Sequence, residues 1–79
     1  MEGILEIRDN GGRTFDRYTV VYITKSGKYN DARGMSEHPS HPQGFGQFCQ
    51  AIPGDHLGQL ITFDELPIDC QKLVLFDLL

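Results

Sequence analysis

Apolar side chains change period along this chain. From Phe15 to Thr24 they repeat every second residue, on both sides of the segment. Tyr18, Val20 and Tyr22 fall on one side, Thr19, Val21 and Ile23 on the other. Alternation of this kind predicts a strand, and apolar residues on both faces suit a central one. Ile4 to Ile7 alternates more weakly and reads as a preceding strand. Between the two lies Asp9-Asn10-Gly11-Gly12, whose Asn-Gly and Gly-Gly pairs supply the positive φ angles of a tight hairpin.

Ser26-Gly27 marks a second turn. Lys28 to Met35 returns as a third strand of poor propensity, which we place at a sheet edge. Ser36 to Gln47 holds two prolines and two glycines and reads as a loop. Phe48 to Ile52 and Leu60 to Phe63 read as short strands, separated by a turn at Pro53-Gly54-Asp55. The period then lengthens. Leu66, Cys70, Leu73, Val74 and Leu78 form one helical stripe; Ile68, Leu75, Phe76 and Leu79 form a second. Pro67 suits the first helical position, and Asp64, Glu65 and Asp69 favour the positive end of the helix dipole. These elements predict a single α+β domain over residues 1–79: a small antiparallel sheet of three to five strands packed by one C-terminal helix.

Two apolar stripes are more than one short sheet needs. We expect the second stripe, Ile68, Leu75, Phe76 and Leu79, to form a surface for self-association or for a partner protein. The other arrangement is a helix sunk in the groove of a curled sheet. A chain of 79 residues has little sheet to bury both stripes, which favours association.

Composition narrows the field. Apolar residues make up 39% and charged residues 23%, too apolar for a disordered tail. No run of eighteen apolar residues exists, so no transmembrane helix is expected. Met1 to Glu6 carries neither a basic nor an apolar leader region, which points to a cytoplasmic chain. Cys49 and Cys70 are then expected as reduced thiols. Eleven acids against seven bases give a net charge of −4. Six of the seven bases precede residue 34, and no basic stripe of the kind duplex binding requires is present.

No diagnostic chemical motif appears. His38-x-x-His41 has a workable metal spacing, but no second close ligand pair accompanies it, so neither a metal nor another cofactor is expected. Cys49 or Ser40 beside a histidine such as His41 matches no nucleophile elbow, and an enzyme is not expected. The segment Gln43-Gly44-Phe45-Gly46-Gln47 lets backbone N–H groups approach a ligand, yet matches no phosphate-loop pattern. Its glycines can equally serve turn geometry, with Phe45 plugging the core. If Arg13, Arg17 and Arg33 lie near it, they would donate bidentate hydrogen bonds to a phosphate. The candidate ligand site is therefore Arg13, Arg17, Arg33, His41, Gln43, Gly44, Phe45 and Gly46.

Three segments, Asp9-Asn10-Gly11-Gly12-Arg13-Thr14-Phe15-Asp16-Arg17-Tyr18-Thr19-Val20, His41-Pro42-Gln43-Gly44-Phe45-Gly46-Gln47 and Leu66-Pro67-x-x-Cys70-Gln71-Lys72-Leu73-Val74, resemble small proteins of bacteriophages and other mobile elements. That resemblance carries no catalytic residues. It implies an accessory or anti-defence factor, such as an anti-CRISPR inhibitor, that binds a host defence protein or sequesters a nucleotide-type signal. Function sits in sites and not in folds, which keeps this an expectation.

Overall fold

The computed structural model describes residues Met1–Leu79. Five strands form one antiparallel sheet: β1 (Ile4–Asp9), β2 (Tyr18–Ser26), β3 (Tyr29–Met35), β4 (Gly46–Ala51) and β5 (Gln59–Leu60), in the order β4-β3-β2-β1-β5. One helix, α1 (Ile68–Asp77), follows at the C-terminal end. The predicted α+β architecture is the observed one.

β2 is central, as its two-sided apolar pattern requires. Tyr18, Val20 and Tyr22 point to the helix side, where they join Ile7, Met35, Leu66, Cys70 and Val74 in the core. Burying each large apolar side chain contributes about 1.5–3 kcal/mol. Val21 and Ala32, paired across the ladder, are fully buried on the other side. That side is covered by the segment from Ile52 to Gly58, which carries the chain from the β4 edge to the β5 edge. Gly54 N–H donates to Glu6 at 3.1 Å, and Arg8 donates to Gly58 O at 3.1 Å and to Asp55 at 3.2 Å.

The third strand corrects the expectation. β3 is not an edge: it pairs with β2 on one side and with β4 on the other. Its low propensity is overridden by neighbours, because Asn30, Ala32, Gly34 and Met35 are small or well-partnered enough to be buried between them. Asn30, for example, satisfies its buried amide by donating to Tyr22 O at 2.8 Å.

The first turn is also longer than expected. Gly11 and Gly12 do adopt positive φ, 76° and 89°. The ladder nevertheless resumes at Tyr18 and not at Phe15, whose side chain is exposed. Asn10 Oδ1 accepts from Gly12 N–H at 2.9 Å and Arg13 N–H at 3.0 Å, and these local bonds compete with strand pairing. The Ser26-Gly27 turn forms as read, with Gly27 at φ 68° and Ser26 opposite Tyr29. The last strand ends at Leu60, and Phe63–Glu65 is a short 3-10 turn.

Pro67 is the N-cap of α1 and not its first helical residue, and the first stripe of the helix faces the sheet. No helix is long and apolar enough to cross a membrane.

Candidate functional site

Two surfaces stand out. The first is a cleft of about 660 Å³ between the β1–β2 loop and the Ser36–Phe45 loop. Its walls include Arg13, Phe15, Arg17, Glu37, His41 and Gln43.

Both loops are held by their own polar groups. In the first, Asn10 Nδ2 donates to Thr14 Oγ1 at 2.8 Å, and Thr14 Oγ1 donates to Asp16 at 2.7 Å. In the second, Phe45 N–H donates to Ser36 Oγ at 2.9 Å and Ser36 N–H to Phe45 O at 2.8 Å, closing the loop at its base. Gly44 N–H donates to His41 O at 2.7 Å. A Cβ on Gly44 would stand 2.0 Å from His38 O, so only glycine fits this closure.

Arg17 ties the loops together. Its guanidinium donates to both carboxylate oxygens of Asp9, at 2.8 and 3.1 Å, and to Glu37 across the cleft. It also lies 5.3 Å from the centre of the Tyr18 ring. Hydrogen bonds from Arg17 hold the Asp9 carboxyl below the usual carboxylate range. Arg17 is thus already neutralised. Arg13 is different: only its Nε is engaged, with Asn10 O at 3.3 Å, and its terminal nitrogens are free to meet an anion. His41 Nδ1 accepts from Gln43 N–H at 3.1 Å, which leaves its Nε2 as the available donor.

The structure brings together five of the eight candidate ligand residues: Arg13, Arg17, His41, Gln43 and Gly44. Three lie elsewhere. Arg33 is on the helix side of β3, paired with Asp77, its guanidinium 5.5 Å from the Phe48 ring. Its removal from the loop follows from strand alternation, which turns it beneath α1. Phe45 does not plug the main core; its ring packs near Gly34 on the sheet side away from the helix. Gly46 opens β4, where a Cβ would stand 2.7 Å from Leu73. Phe15 also lines the cleft and was not expected there; Glu37 and His38 belong to the 36–47 loop expected to hold the ligand but were not singled out in it. The Asn10-Gly11-Gly12 turn was the cue for the first loop; nothing local announces Glu37.

Both thiols are shifted toward the neutral form. Burial pushes Cys49 up, and it pushes Cys70 up to about 11. Cys70 Sγ–H donates to Ser36 O at 3.2 Å, so it is a core residue that also steadies the second loop. No group of three or more His, Cys, Asp or Glu side chains is placed to hold a metal ion.

The second surface is the outer face of α1. Ile68 is 64% exposed, Leu75 47%, Phe76 70% and Leu79 100%, while Cys70 and Val74 beneath them are 0% exposed. Lys72 is the single charge among these outward residues. A helix with apolar stripes on two opposite sides ordinarily buries both. Here the sheet covers one side only.

No family model matches the chain, and no curated protein or solved structure matches it.

Proposed function

We propose that this chain is a non-enzymatic binding protein that acts by occupying the surface of another protein through the outer face of α1. One observation carries the reading: Ile68, Leu75, Phe76 and Leu79 form an apolar strip that the chain's own sheet leaves uncovered. Apolar residues clustered on a surface are what partner interfaces use as their centre. The resemblance to small proteins of phages and mobile elements supports a host defence protein, such as a CRISPR–Cas component, as the target, and a bacterial cytoplasmic setting.

The test is a phage challenge of bacteria with active defence systems. Expression of the wild-type chain restores plaque formation against the susceptible system. The double variant Ile68→Glu, Leu75→Glu does not, while its circular dichroism stays native. A wild type that relieves no defence system, or a double variant as active as the wild type, ends this reading.

The cleft favours a second reading, capture of a nucleotide-derived signal, because it gathers Arg13, Arg17, His41, Gln43 and Gly44. It ranks lower because Arg17 is spent on Asp9 and Glu37, leaving one free guanidinium. Thermal-shift measurements with cyclic dinucleotides and ADP-ribose derivatives decide it. A ligand at 100 times its Kd stabilises by about 2.7 kcal/mol, and Arg13→Ala removes that gain. A flat response to every ligand removes the reading.

A further inference from the structure

The two edges of the sheet are unequal. β5 has two residues and offers almost no backbone to pair with. β4 has six, in unbroken register with β3 from Met35↔Gly46 to Asn30↔Ala51. No turn, loop or side chain bonds to the outward backbone groups of β4. Folded proteins normally protect such an edge with a lysine, a proline, a bulge or a covering segment. Gly46-Gln47-Phe48-Cys49-Gln50-Ala51 has none of these.

We infer that β4 is the seam of a homodimer, in which two copies join edge to edge into one ten-stranded antiparallel sheet. A strand is complementary to itself when turned by a twofold axis, so each outward N–H finds the partner copy's C=O. An axis perpendicular to the sheet keeps both helices on one side. Residues opposite each other must then share a face, which centres the seam on Phe48 or Cys49.

Charge sets where a second copy can approach this one. The chain carries a net charge of −4, so two copies repel over most of their surface. The β4 strand carries no charge; of the carboxylates around it, Asp77 of the helix is neutralised by Arg33, and Asp31, opposite Gln50, accepts from the Thr24 and Ser26 hydroxyls. Apolar area argues the same way. A stable interface needs about 1,200–2,000 Å² of total buried surface, more than one strand pair supplies. Phe48, 51% exposed on the helix side of β4, stacks on Tyr22, whose hydroxyl donates to Asp77. Phe76, next to Asp77, extends the apolar area along that same edge. The dimer shares Phe76 with the outer strip of α1 but leaves Ile68, Leu75 and Leu79 outside the seam, and sets two such strips side by side.

Light scattering after size exclusion, over a range of protein concentrations, reads the outcome directly. Wild type is expected at twice the 8.9 kDa chain mass. The double variant Gln47→Lys, Gln50→Lys changes only exposed side chains and places like charges on both sides of the seam. It is expected to run as a monomer with native circular dichroism. A short thiol-specific crosslinker is expected to join wild-type copies through Cys49 and to fail after Cys49→Ala. A wild type that stays monomeric at every concentration overturns the inference. So does a dimer that survives the two lysines, or one that Ile68→Glu, Leu75→Glu dissociates instead.

Discussion

The inner and outer faces of α1 are nearly alike in composition and opposite in fate. Cys70 and Val74, with Leu66 just before the helix, meet Tyr18, Val20, Tyr22 and Met35 and are closed to water. Ile68, Leu75, Phe76 and Leu79 are as apolar and stand open. Hydrophobicity therefore does not decide which side of this helix is buried. The side is chosen by fixed partners: Tyr22 and Arg33 both reach Asp77, and Ser36 O receives the Cys70 thiol. The outer face adds little to the monomer's stability, which leaves it free to bind.

Adjacent residues break the comparison most sharply. Val74→Asp buries a carboxylate with no partner and is expected to cost about 4 kcal/mol or more, close to the whole stability of so small a domain. The variant should show no cooperative thermal transition. Asp77→Ala comes next. It leaves the half-buried Arg33 and the Tyr22 hydroxyl without their acceptor, at an expected cost of about 2–4 kcal/mol in a urea titration. A loss below about 1 kcal/mol would mean that the pairing does not orient the helix.

Alkali probes the inner face more gently. Burial raises the Cys70 pKa to about 11 in the folded chain. The folded state thus favours the thiol. Its contribution is whole below the unfolded pKa, near 9, and is lost as pH rises through the folded value. Stability should decline between pH 9 and 11, and Cys70→Ala should flatten that decline relative to wild type. At neutral pH, Cys49 should alkylate well before Cys70, which reacts only when the helix lifts. The smallest effect is Leu75→Asp, one residue from Val74. Helix propensity and the dipole together cost under about 1 kcal/mol there, and a larger loss would show that the outer face is buried after all.

Much of this was legible along the chain. The alternation of Tyr18, Val20 and Tyr22 announced a central strand, and it is central. The period of Leu66, Cys70, Val74 and Leu78 announced the inner helix face. The place of β3 was not legible, because Asn30 and Gly34 are poor strand formers until β2 and β4 flank them. The cleft was half legible. The turn residues around Asn10 and the glycines before Gln47 flagged both loops, but their meeting depends on Arg17 reaching Asp9 and Glu37 at once.

The sequence by itself determined the element types, the two apolar stripes of the helix and the sharp turn at Gly27, since each depends on local period or local φ. Only the tertiary structure decided which arginine stands in the cleft, which strand is left at the edge and which apolar stripe stays in water. Those outcomes depend on pairing between residues far apart in the chain. Arg33 and Arg13 are the same residue type with the same chemistry. Strand alternation turns the first beneath α1 to meet Asp77, while the Asn10 turn holds the second out toward solvent.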